Sequence, residues 1–229
     1  MNFIAQNLNE VRAAISAAAH KAARDPAEVR LVAVSKTVDL ERILAAIDAG
    51  QDLFGENYLQ EARDKIAAIG RPVSWHLVGH LQTKKAKGAV ALFDLIHAVD
   101  RGKLARALDA AAARLGKVQD ILIQVNQGGE ETKSGVAPEA APELLQEIAQ
   151  LPHLRVLGLM TMPPWFSDPE EVRPYFRALR ELRDRLRDQS GLPLMELSMG
   201  MSGDYAVAVE EGATLVRVGT AIFGRRQRS

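Results

Sequence analysis

Arg30-Leu31-Val32-Ala33-Val34-Ser35-Lys36 reads as a strand that ends in a lysine. By the period of two, Val32, Val34 and Lys36 share one face and Leu31, Ala33 and Ser35 the other. Both faces are apolar until the end, which predicts a strand covered on both sides, as parallel strands in α/β proteins are. An amine at the carboxyl end of such a strand points to the place where α/β folds bind ligands. The plain alternative is a lysine that caps a strand and reaches water.

Outward from this run the chain alternates. The pattern predicts helices over Asp39–Ala49, Tyr58–Ile69 and Arg101–Leu115, stopped by Gly50, Gly70 and Gly116. Further helices are expected over Gln82–Ala91, Pro138–Gln150, Glu170–Gln189 and Asp204–Glu211. Strands fall between them at Asp52–Glu56, Ser74–Gly79, Leu95–Val99, Asp120–Asn126, Leu154–Met162, Glu196–Gly200 and Leu215–Gly219. With the opening strand that makes eight, and crossovers of helical length imply parallel pairing. We therefore expect one domain over residues 1–229, a single (β/α)8 TIM-type barrel. A doubly wound open sheet uses the same units, but no Gly-rich dinucleotide fingerprint follows the first strand. Ahead of the barrel, Ile4, Leu8, Val11 and Ile15 are spaced for an extra amphipathic helix that plugs or flanks it, and Asp25-Pro26 ends that helix.

The 29 basic and 29 acidic residues balance, so no net field recruits nucleic acid, an anionic membrane or an acidic partner. Lys84-Lys85-Ala86-Lys87 reads as a solvated helix face. There is no cysteine, which removes disulfides, thiolate metal sites and a thiol nucleophile. The first 23 residues are too polar for a signal peptide, and no run reaches membrane-spanning length. The expectation is a cytoplasmic protein.

In a barrel of this kind the chemistry sits at the strand ends. Ser198-Met199-Gly200-Met201-Ser202-Gly203-Asp204 places glycines and hydroxyls before a helix start, and Gly219-Thr220 follows the eighth strand. Loops after strands seven and eight recurrently hold phosphate in this fold. Arg217 lies in a strand otherwise made of Leu and Val, so its head requires an acceptor: a carboxylate or a ligand nitrogen. An imine-forming lysine, an arginine facing a ring nitrogen and a phosphate cup are the parts a pyridoxal phosphate site needs.

Val32-Ala-Val-Ser-Lys36, Phe54-Gly-Glu-Asn57, Trp75-His-Leu-Val-Gly-His-Leu-Gln82, Lys133-Ser-Gly135, Gly158-Leu-Met160, Leu197 to Asp204 and Arg217-Val-Gly-Thr-Ala-Ile-Phe-Gly224 together resemble the pyridoxal phosphate homeostasis protein family, itself similar to the barrel domain of alanine racemases. The resemblance spans nearly the whole chain. It implies a barrel holding pyridoxal 5′-phosphate as an internal aldimine on Lys36. It also implies Arg217 at the pyridine nitrogen, Ser202, Gly219 and Thr220 on the phosphate with Ser198 and Met199 nearby, and Asn57 close to the ring hydroxyl. One position departs from the family: Lys84 stands where an Asn is usual before Lys85.

An arginine beside the ring nitrogen disfavours its protonation, since two cations would meet, and the ring becomes a weaker electron sink. Racemisation then leans on two placed bases. Lys36 could be one; in the racemases the other is a tyrosine of a C-terminal β domain, for which five residues after Gly224 leave no room. Tyr58, Tyr175 and Tyr205 read as packing or helix surface, and His76, His80 and Asn126 as lining of the pocket or core. The expected function is a monomeric protein that stores, buffers or delivers pyridoxal phosphate, to apo-enzymes among other takers, and so maintains vitamin B6 and amino-acid homeostasis without efficient turnover. The alternatives are a racemase or aldolase using the same cofactor, and a phosphate-metabolite barrel without it. Lys133 and Arg225-Arg226 are candidates for a second, regulatory site.

Overall fold

A computed structural model of the chain describes residues 3–70, 72–129 and 134–224. Eight parallel strands close in sequence order: β1 (Arg30–Val34), β2 (Leu53–Glu56), β3 (Ser74–Leu77), β4 (Leu95–Val99), β5 (Gln119–Val125), β6 (Leu154–Thr161), β7 (Glu196–Ser198) and β8 (Leu215–Val218). Closure is made by β1 on β8, with Arg30 opposite Leu215 and Val32 opposite Arg217. That pairing decides for the barrel against the open sheet.

Helices α2 (Leu40–Asp48), α3 (Leu59–Ile69), α4 (Ala86–Leu92), α5 (Gly102–Arg114), α6 (Ala141–Ala149), α7 (Arg173–Ser190) and α8 (Tyr205–Glu210) link successive strands. Asp39 caps α2 by accepting from the Arg42 N–H, while Gly70 and Gly191 end α3 and α7 in the left-handed region. Two differences from the sequence reading stand at the carboxyl end. Strand β7 stops at Ser198, because Gly200 turns the chain with φ 91°, and a short helix α9 (Thr220–Phe223) follows β8 directly. Among the described residues no helix is long and apolar enough to cross a membrane.

Alternation sorts the strand residues into two cores. Leu31, Ala33, Phe54, Trp75, Ile96, Ile121, Leu197 and Val216 face outward into the helix layer, while Val32, Leu53, Val78, Leu95, Leu122, Met160 and Leu215 pack inside the barrel. The amino-terminal helix α1 (Phe3–Lys21) buries Ile4, Leu8, Val11, Ile15, Ala18 and Ala19. It lies against α8, α9 and α2, so it flanks the seam of the barrel instead of plugging it. Asn7 donates to the Ile222 carbonyl, and Arg12 donates to the carbonyls of Ala49 and Gly50, which fixes the helix across that seam.

Candidate functional site

At the carboxyl ends of the strands a cavity of about 410 Å³ opens, bordered by Lys36, Asn57, His80, Ser202, Arg217, Gly219 and Thr220, with Met162 and Trp165 at its rim. Trp165 is 82% exposed, so the mouth carries an apolar lip.

Lys36 extends the inward face of β1, two residues beyond Val34. The turn that carries it is fastened from behind. Thr37 has φ 59°, an uncommon conformation for a β-branched residue, and its N–H donates to Glu61 Oε1 at 2.5 Å. Ser35 Oγ donates to Glu56 Oε1 at 2.7 Å. The Lys65 ammonium, from α3, uses its three donors on Ser35 O (2.6 Å), Glu56 Oε1 (2.7 Å) and Glu61 Oε1 (2.6 Å). Glu56 is wholly buried and its Oε2 has no hydrogen-bond partner; burial raises its carboxyl above the usual range, against the lowering pull of Lys65 and Ser35. The residues on either side of Lys36 are thus held by one buried ionic cluster.

Arg217 faces Lys36's side of the barrel from β8 and is 4% exposed. It donates to Ser198 Oγ at 2.6 Å and to Thr161 O at 2.8 Å, both neutral oxygens. Among the described residues no carboxylate forms an ion pair with it, so the first of the two acceptors considered for this arginine is not the one found. Burial lowers its pKa to about 10, with Asp204 opposing, and it remains cationic at neutral pH.

The loops after β7 and β8 meet at Ser202. Its Oγ accepts from the N–H groups of Gly219 (3.2 Å) and Ala221 (3.4 Å), which leaves its own proton as a donor. Asp204 Oδ1 accepts from the Met201 N–H at 2.6 Å and shapes the other loop.

Of the residues singled out in the sequence, Lys36, Asn57, Ser202, Arg217, Gly219 and Thr220 come together on one cavity. Ser198 and Met199 do not border it. Ser198 points into the barrel, where Arg217 and His97 engage its hydroxyl, and Met199 points outward into the helix-layer core. His76 lies in the barrel interior, His80 borders the cavity and contacts Ser134 Oγ through Nδ1, and Asn126 is outside the lining. The three tyrosines are elsewhere: Tyr58 is exposed, Tyr175 lies against Phe166, and Tyr205 opens α8. Lys84, Lys85 and Lys87 are exposed. Lys133, Arg225 and Arg226 lie outside the described residues. Sequence reasoning placed Met162 at the end of the sixth strand without giving it a role, and missed Trp165, His97 and the Lys65 cluster; of these only Trp165 carried a signal, as a residue shortly past the end of a barrel strand.

This barrel with a lysine at the tip of its first strand and an arginine in its eighth is of the alanine racemase kind: the family described as "Alanine racemase, N-terminal domain" matches residues 6–227. Relatives named "Pyridoxal phosphate homeostasis protein" are similar over full length. The Aquifex aeolicus protein is 46% identical over 97% of this chain and 98% of its own, and the Escherichia coli K12 protein is 42% identical over 100% and 99%. Among solved structures, PipY of Synechococcus elongatus PCC7942 with PLP bound has a TM-score of 0.86 and 38% identity, covering 96% of this chain and 100% of its own. An alanine racemase of Clostridium difficile 630 shares the fold at a TM-score of 0.73 and 14% identity, over 100% of this chain and 57% of its own. The chain belongs to the pyridoxal phosphate homeostasis protein family.

Proposed function

We propose that this protein binds pyridoxal 5′-phosphate in the Lys36 cavity, holds it covalently through the Lys36 amine, and acts as a reservoir that hands it on, in the service of vitamin B6 and amino-acid homeostasis. The observation that carries the reading is the convergence of a lysine amine, an arginine with no carboxylate partner among the described residues and a hydroxyl-and-amide loop pair on one cavity. When bound, the group supplies an aldehyde that condenses reversibly with an amine.

The chain's own residues divide the work. Lys36 presents the amine from a turn that the Lys65 cluster keeps fixed. Arg217, protonated at neutral pH, donates toward the ring nitrogen and keeps a second proton off it. Ser202, Gly219 and Thr220 take the phosphate, where neutral donors bind an anion without a buried counter-charge. Asn57 borders the same cavity and is placed for the ring hydroxyl. The exposed lip of Met162 and Trp165 leaves the mouth open to an incoming amine or a recipient apo-enzyme. Turnover as a racemase or aldolase is the alternative; it calls for a second base across the ring, and Tyr58, Tyr175 and Tyr205 all stand outside the cavity lining.

The test is borohydride reduction of protein incubated with pyridoxal phosphate, followed by peptide mass spectrometry. The adduct is expected on Lys36 and lost in Lys36→Ala; an adduct elsewhere, or none, refutes the reading. Incubation with alanine, serine and threonine enantiomers separates the alternative, because sustained racemisation or retro-aldol cleavage by the loaded protein overturns the reservoir role.

A further inference from the structure

Four buried polar side chains in the interior of the barrel form a line. Arg217 donates to Ser198 Oγ at 2.6 Å, Ser198 Oγ meets His97 Nδ1 at 2.9 Å, and His97 Nε2 meets His76 Nδ1 at 3.0 Å. The residues come from β8, β7, β4 and β3, so the line crosses the barrel, and all four are buried. His76 also borders a separate cavity at the amino-terminal ends of the strands, with Arg30, Asp52 and Ser74.

Chemistry fixes the direction of this line. A guanidinium has donors only, so Ser198 Oγ must accept from Arg217 and has one proton left to give. The partner that remains is His97 Nδ1. With Nδ1 accepting, a neutral His97 carries its proton on Nε2 and donates it to His76 Nδ1. His76 in turn holds its proton on Nε2, the ring nitrogen that does not face His97. The opposite order would leave the proton of a fully buried hydroxyl without an acceptor, which is unfavourable. Both imidazoles are also held neutral: burial lowers the pKa of His76 to about 3, and burial, His76, Arg217 and Arg30 lower that of His97.

We propose that Ser198, His97 and His76 are positioning residues for Arg217, a hydrogen-bond chain of fixed polarity that holds the guanidinium in place so that its remaining N–H groups serve the ligand's ring nitrogen. The inference rests on the reading of Arg217 given under the proposed function. The alternation of β4 puts His97 inside the barrel and outside the cavity lining, so its effect on the ligand passes through Ser198 and Arg217. An amide can replace it in kind: glutamine accepts through its oxygen and donates through its nitrogen, as this tautomer of His97 does.

Two measurements test the chain separately from the ligand reading. In ligand-free protein, nitrogen NMR of labelled histidines at neutral pH should find His76 and His97 neutral and protonated on Nε2. Either ring protonated on Nδ1, or doubly protonated, overturns the stated direction. In protein loaded with nitrogen-labelled pyridoxal phosphate, the ring nitrogen should be unprotonated in the wild type, gain a protonated fraction in His97→Leu, and return to the wild-type signal in His97→Gln. Affinity should fall about tenfold in His97→Leu, the scale of one hydrogen bond to a charged group, and recover in His97→Gln. Ser198→Ala, which deletes a single oxygen, should repeat the His97→Leu result and serves if that variant does not fold. A protonated ring nitrogen in the wild type refutes the placement of Arg217 and leaves the apo-protein tautomers as a separate result. A wild-type signal in both His97→Leu and Ser198→Ala refutes the positioning role.

Discussion

Lowering the pH from about 7.5 to about 5 should destabilise this protein through its two interior histidines. In the unfolded chain an imidazole takes up a proton below about 6.5. In the folded chain His76 does so only near 3, because the barrel interior cannot solvate the cation and Arg30 repels it. Between those two values the unfolded state binds the extra proton, so stability is complete above the unfolded value and falls as the pH drops. A gap of one pH unit corresponds to about 1.4 kcal/mol, so at about pH 5 His76 alone removes about 2 kcal/mol. His97 acts in the same direction through its burial and the nearby His76, Arg217 and Arg30. Against a total stability of roughly 5–15 kcal/mol this is readily measured. Urea denaturation at several pH values, read as a shift of midpoint at constant slope, supplies the assay. His76→Gln removes one titrating ring, and its loss between the two pH values should be about 2 kcal/mol smaller than the wild-type loss. Equal losses in the two proteins would show that His76 is protonated, or exposed, in the folded state.

Lys65→Met should strip the counter-charge from Glu56 and cost about 3–5 kcal/mol at neutral pH. Since burial already raises the Glu56 carboxyl, the deficit should shrink in acid, where that group is neutral, and denaturation at two pH values reads this directly. Borohydride labelling of Lys36 should slow in the same variant, because the turn loses its fastening; an unchanged rate would dissociate the cluster from the lysine. Gly158→Ala, in β6, would place a Cβ against the Glu196 carbonyl of β7 and should cost about 3 kcal/mol or more by thermal or urea unfolding, since backbone cannot yield there. Leu8→Ala should open a cavity under α1 and cost about 2–5 kcal/mol, with a wild-type midpoint as the contrary result.

The barrel was legible because its strands are short apolar runs separated by helices with clear stops, such as Gly50 and Gly70, and parallel strands covered on both faces leave little ambiguity of type. The cavity residues were legible for a related reason: in this fold a polar residue just beyond a strand end faces the mouth, as Lys36, Asn57 and Ser202 do. Ser198 and Met199 were grouped with the loop that follows them, although they do not border the cavity. Ser198 ends β7 and points into the barrel, and Met199, the next residue, points into the helix layer. The line from Arg217 to His76 links strands β8, β7, β4 and β3 across the interior, and such meetings depend on closure and stagger that no local pattern encodes. Lys65 was hidden for the opposite reason: on a helix of mixed polarity, a lysine that turns inward has the same spacing as one that reaches water.

The anchorage behind the first strand also limits how portable the site is. A reactive amine moved alone to the corresponding strand tip of another (β/α)8 scaffold would arrive without these fastenings, since the Thr37 N–H is held by Glu61 and Ser35 by Glu56 and Lys65. The smallest transferable unit therefore runs from β1 through α3, and designers who graft the lysine would have to carry its distant neighbours with it.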